Sequence, residues 1–218
     1  VVQRGVNDDG LLDIVERFRN TDIIVRFIEY MESEWVRTNA VSTAFFVDSG
    51  LTYSGASSTT ISGLDHLEGE SVTILADGAT HPDKTVSSGS ITLDRAATTV
   101  QAGLSYSSTL QTMRIEAGSA DGTAQGKTKR FTNVVFRLDQ TGSGLLYGPT
   151  DTDADMDELH LRDSYNPMDT ALPLFDGDTE ILSWPEGYER IGRLTLKHTL
   201  PLPCTITAIM PQLNTQDR

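Results

Sequence analysis

From residue 41 onward this chain is written in short alternating segments, each stopped after a few residues by Gly, Asp, Ser or Pro. A period of two places successive side chains on opposite faces of an extended backbone, so the pattern predicts strands and excludes long helices over most of the length. Residues 192–200 carry it most clearly. Leu194, Leu196, His198 and Leu200 fall on one face, and Arg193, Thr195, Lys197 and Thr199 on the other. Pro201 and Pro203 then reset the chain, and Cys204, Ile206, Ala208 and Met210 alternate with Thr205 and Thr207. Two consecutive strands joined across the proline pair are expected. Thr132, Val134, Phe136 and Leu138 form a third alternating set after the basic stretch Lys127 to Arg130.

The first 36 residues carry a mixed signal. Leu11, Ile14, Val15 and Phe18 fit helical spacing, as do Ile24, Phe27, Ile28 and Met31. Against that stand the β-branched run Ile23-Ile24-Val25 and the polar break Arg19-Asn20-Thr21-Asp22, which suits a turn between strands. A hairpin is expected there.

Between about 48 and 104 the texture becomes Ser/Thr/Gly-rich, with compact turn signals at Asp48-Ser49-Gly50, Ala76-Asp77-Gly78 and Ser87-Ser88-Gly89. The runs they separate, such as Val72 to Leu75 and Ile91 to Leu93, are too short for a large sheet, so a small inserted β-domain is expected. A second region, about 139 to 177, holds Gly142, Gly144, Gly148, Pro149, Pro167 and Pro173 with few apolar residues and reads as a long loop. No internal repeat or heptad pattern argues for a solenoid or fibre shaft.

Charge narrows the partners. Asp plus Glu total 31 against 17 Lys plus Arg, a formal charge of -14 and a pI near 4.5. Such a surface repels duplex DNA, although the same acidity also serves plain solubility. No apolar run approaches the ~20 residues of a membrane-spanning helix, and no basic amphipathic stretch is present. A single cysteine, Cys204, excludes an internal disulfide and reads as a core thiol. The chain opens on Val1 and mid-pattern, so a fragment or processed product is expected and a missing leader carries no weight.

The motifs that could carry chemistry each fail on spacing. Asp151, Asp153, Asp155 and Asp157 open like a calcium loop, but Met156 stands where the sharp turn needs glycine and Arg162 where a bidentate glutamate belongs. The Gly122 to Thr128 stretch resembles a phosphate loop with three residues between its glycines in place of four, and β-type segments surround it. Gly142-Ser-Gly144 lacks the third glycine of a dinucleotide site. His66, His81, His160 and His198 occur singly, without metal-ligand spacing, and His198 reads as a hydrogen-bonded core histidine. No Gly-x-Ser-x-Gly elbow occurs. The expectation is therefore no enzyme, with no catalytic, cofactor or metal residues.

Several strings, taken in order, carry a resemblance. Ser62 to Glu70, Val72 to Gly78, Ile91 to Asp94 and Val100 to Tyr106 resemble the small β-barrel named for the first catalytic cysteine half-domain of ubiquitin-activating enzymes, as it recurs in phage tail proteins. The Asp48 to Tyr53 segment before it, the Ala120 to Lys127 segment after it, Asn166 to Asp169, Pro173 to Asp178 and the ending Ala208 to Pro211 are similar to the C-terminal part of the tail nozzle, or tail tubular B-like, protein of short-tailed phages. Residues 48–104 hold no cysteine, so the barrel's name brings no ubiquitin chemistry.

The resemblance implies an all-β protein with a β-sandwich platform at 1–47 and 105–218 and an inserted small β-barrel at 48–104. It implies a virion structural protein that forms a ring, similar to a hexamer in related phages. Such a ring is expected to stack below an adaptor and continue the DNA channel, with adaptor and tail fibres among its partners and DNA passing through the lumen without specific binding during ejection. A hub or baseplate protein of another tail type would carry the same order of strings. Mechanically, the platform would form the ring and the acidic region 139–177 would contact neighbours or the lumen. The alternative is a carbohydrate- or receptor-binding tail module, for which Trp35, Trp184 and Tyr188 are the candidate sugar platforms.

Overall fold

In the computed structural model the described residues are 2–3, 11–18, 24–30, 32, 35–116, 123, 125–185 and 187–216. Fifteen strands and three short 3-10 turns make up their regular structure, an all-β protein as the period-two segments require. Contacts divide the chain into two compact units, Val1–Tyr106 with Asn166–Leu172, and Ser107–Tyr165 with Pro173–Arg218.

The first unit opens with β1 (Val2–Gln3), β2 (Leu11–Phe18) and β3 (Ile24–Tyr30), an antiparallel sheet in the order β1-β2-β3. The hairpin thus forms where helical spacing competed with β-branched residues; its Arg19 to Asp22 break lies outside the described residues. Then come β4 (Asp48–Ser62), β5 (Ser71–Ala76), β6 (Ala79–Thr85) and β7 (Ser90–Leu104), ordered β4-β7-β5-β6. This is an open antiparallel sheet with β4 and β6 at its edges; among the described residues it does not close into the expected barrel. The two outer strands are not hydrogen-bonded to each other. Its core gathers Ile61, Leu64, Leu67, Val72, Ile74, Val86, Ile91 and Val100, all buried, each contributing on the order of 1.5–3 kcal/mol by leaving water.

Two of the three turn signals make two-residue hairpins. Asp77 and Gly78 both take positive φ between paired Ala76 and Ala79, and Ser88 and Gly89 do the same between bridged Ser87 and Ser90. That backbone twist matches the twist of the flanking strands, which is why Asp-Gly and Ser-Gly stand there. The third signal is corrected: Ser49, at φ 48, sits in a bulge inside β4, where the register against β7 slips between Asp48 and Leu51. The expectation placed residues 1–47 with the platform, whereas by contacts they group with 48–104. The ring of Phe27 on β3 meets His66 edge-on at 6.2 Å, and Ser49 donates a hydrogen bond to Glu29.

The second unit contains β8 (Ser108–Gln111), β9 (Thr128–Thr141), β10 (Leu145–Gly148), β11 (Asp157–Glu158), β12 (Phe175–Asp178), β13 (Leu182–Ser183), β14 (Thr195–His198) and β15 (Thr205–Gln216). One sheet runs β11-β10-β14-β8; in the other, β9 carries β12 and β13 on one side and β15 along the other. Phe131, Val134, Phe136 and Leu138 of β9 share one core with Leu145 and Tyr147 of β10, with Leu196 of β14 and with Leu194 just before it. Two sheets over one core make a sandwich. The segments on either side of the proline pair are consecutive strands, in opposite sheets.

The region 139–177 is not one long loop. β10 lies inside a sheet within it, because Leu145 and Tyr147 alternate inward between glycines. Those glycines admit neighbours: a Cβ at Gly142 would lie 2.8 Å from the Leu202 Cβ, and one at Gly144 would overlap the Leu200 side chain. The acidic run is folded as well. Asp153–Asp155 form a 3-10 turn, and Asp157 begins β11.

Candidate functional site

Most of the residues singled out in the sequence are engaged within the fold. Asp153 receives a hydrogen bond from Lys197 Nζ at 2.6 Å, and Asp155 one from Thr150 at 3.0 Å. Among the described residues, no group of three or more His, Cys, Asp or Glu is arranged to hold a metal ion. Of the phosphate-loop look-alike, Gly122 and Ala124 lie outside the described residues, and strand β9 starts at its Thr128 where a phosphate site needs a helix N-terminus.

His66 donates through Nε2 to Ser49 O at 2.7 Å. His81, its side chain fully buried, donates through Nδ1 to Pro82 O at 2.8 Å and accepts the Asp94 amide on Nε2 at 2.9 Å, so its neutral tautomer is set by the backbone. His160 is exposed. His198 is buried, with Nε2 3.2 Å from Ser143 O; burial pulls its pKa below the ordinary value, and the Ser143 contact opposes that only in part. Cys204 is half-buried against the sandwich core, and desolvation pushes its thiol up to about 11.

Trp184 is the clearest correction. It is 5% exposed and belongs to the core, edge-on to Phe131 at 5.7 Å and tilted against Tyr147 at 5.9 Å. Its indole face is not open to a sugar. The strand-period argument missed this because Trp184 follows the two-residue strand β13, where no alternation can be read. Tyr188 is half-exposed with the Arg130 guanidinium 5.8 Å from its ring centre, and Trp35 donates to Ala40 O at 3.3 Å.

Sequence reasoning also passed over two cations. Lys129 is 1% exposed and donates to Ile115 O at 3.3 Å. Arg95 reaches Asp169 at 3.0 Å and the Ala76, Ala79 and Thr80 carbonyls at 3.4 Å, which fastens the 166–172 segment to the β5–β6 hairpin.

The feature without an internal explanation is β15. It pairs with β9 over its whole length on one side, from Thr205 opposite Asp139 to Gln216 opposite Thr128, and with no strand on the other among the described residues. Its inward residues Ile206, Ile209 and Leu213 are only half-covered, and Met210 is 37% exposed. None of its 12 residues is charged. Edge strands are ordinarily short, charged or interrupted, because an open ladder of N–H and C=O groups recruits other strands. β12, on the far side of β9, meets that rule with 4 residues, including Asp176 and Asp178. β15 meets it only through Pro211 and two register shifts.

No protein-family model matches the chain. A stretch of 32 residues is 59% identical to a GTP 3',8-cyclase of Xanthomonas axonopodis pv. citri (strain 306), covering 15% of this chain and 10% of that protein. The chain thus spans about a tenth of the length of the curated relative it matches, and a likeness that short carries no family or activity across. No helix among the described residues is long and apolar enough to cross a membrane.

Proposed function

We propose that this chain is a structural subunit of a phage tail, a nozzle or hub component whose copies join into a ring around the path of the DNA. The observation that carries the reading is β15: a long, uncharged edge strand with a half-covered apolar row is a surface completed by another molecule. A closed ring covers the same surface on every copy. The charge of -14 fits a conduit, since an acidic wall offers few cations to retain phosphates. The order of strings that resembles tail nozzle proteins supports this reading of the assembly.

Sedimentation and native mass measurement of the purified chain, with imaging of the particle that carries it, test this proposal. The expected result is a closed ring of identical copies on the tail axis. A chain that stays monomeric up to high concentration, or that is absent from the tail, overturns it.

A further inference from the structure

We infer that neighbouring copies join by strand addition between two different edges, the β15 edge of one copy against the β4 edge of the next. The inference rests on the ring reading and names its contact.

The open edges of the two units differ in length and charge. In the first unit's larger sheet, β6 is one edge, and it carries Pro82, Asp83 and Lys84. β4 is the other, 15 residues long, and after Asp48 it has no charged residue to its end at Ser62. In the second unit, β11 has 2 residues, both acidic, β8 has 4, and β12 has 4 with two aspartates. β15, with 12 residues, is charge-free. Among the described residues, only the β4 and β15 edges combine length with neutrality, in a chain where 22% of residues are charged.

Copies that each carry -14 repel one another wherever their acidic surfaces meet, so contact costs least along neutral edges. A 12-residue strand extends ~40 Å, enough for a ladder of main-chain bonds flanked by the half-covered Ile206, Ile209 and Leu213. Both edges are bent. β15 shifts register between Ile206 and Ala208 and between Gln212 and Leu213, while β4 shifts between Ser54 and Ser58 and between Ser58 and Thr60. Bends of this kind disfavour pairing with flat strands, which narrows the choice of partner. Pairing two different edges is a heterologous contact, which uses both with one kind of interface and forms a ring when the rotation from copy to copy closes.

The test blocks each edge separately with exposed residues, Met210→Glu with Asn214→Glu on β15, and Ser57→Glu with Thr59→Glu on β4. Each double variant alone is expected to sediment as a single chain with an unchanged thermal melt. Mixed one to one, they are expected to form a two-chain species and nothing larger, because each retains the edge the other lacks. Assembly of either variant as in the parent protein, or a mixture that stays monomeric, overturns the edge pairing while the ring reading stands. A parent chain that never assembles overturns the ring reading instead. Amide exchange of the unaltered protein gives a measurement free of folding defects: at least about tenfold protection gained on assembly at both edges is expected. Protection at neither overturns the inference.

Discussion

Asp77, at the tip of the β5–β6 hairpin, accepts the backbone amide of Thr99 at 2.8 Å from β7, the neighbour of β5 in the same sheet. The same carboxylate takes the Thr98 amide at 3.1 Å and the Thr98 hydroxyl at 2.8 Å. One side chain therefore secures the turn and fixes the position of β7 beside it.

Removing that carboxylate tests the arrangement. Asp77→Ala is expected to destabilise the protein by about 1 kcal/mol, the scale of hydrogen bonds to a charged acceptor discounted for an exposed site; Asp77→Asn, which tolerates the left-handed turn, is expected to cost less. Partial burial raises the Asp77 pKa, but hydrogen bonds from Thr99 and Thr98 and the charge of Arg95 outweigh it and hold the group below 3.8. A depressed folded-state value means that the contribution is complete above 3.8 and disappears as pH falls through the folded value. Denaturant melts of parent and Asp77→Ala should converge at acid pH; a constant gap removes this assignment.

Trp184→Ala is expected to cost roughly 3 to 5 kcal/mol, because the ring fills the sandwich core between Phe131 and Tyr147. Trp184→Phe should cost much less, since Nε1 has no acceptor among the described residues and phenylalanine removes that unsatisfied donor. Chemical unfolding measures both. Equal losses in the two variants would place the value of the side chain in its indole nitrogen and not in its packing.

His198 gives the protein a second acid sensitivity. Its pKa lies below the ordinary 6.5 because burial disfavours the charged ring. The unfolded chain therefore takes up this proton first, and stability begins to fall as pH drops through 6.5, until the folded value is passed. His198→Gln, which can still donate to Ser143 O, is expected to flatten that part of the stability profile. A profile unchanged between pH 7 and 5 removes the assignment.

Cys204, with its thiol near 11, holds almost no thiolate at neutral pH. Alkylation at pH 7.5 is expected to be at least about tenfold slower in the native protein than after unfolding, where the thiol returns to its ordinary acidity. Equal rates would mean that the thiol is solvated in the fold.

Local chemistry made much of this architecture legible in the one-dimensional chain. Strict alternation at Leu194, Leu196 and His198 gave one strand, and β-branched Ile24 and Val25 outweighed a competing helical period. Asp77-Gly78 and Ser88-Gly89 announced hairpins, because only certain residues accept the left-handed backbone those turns need. Even β15 carried a signal, twelve consecutive residues without a charge in an acidic chain.

What the amino-acid order determined on its own was therefore the clearly alternating strands and two of the hairpin turns, whose causes lie within a few residues. Only the tertiary structure decided that β4 to β7 stay an open sheet, that Trp184 turns inward, that Lys129 is enclosed, and that β15 ends its sheet with one side unpaired among the described residues. Those outcomes depend on which distant strands pair and which side chains then compete for the same volume, and no local period encodes that competition.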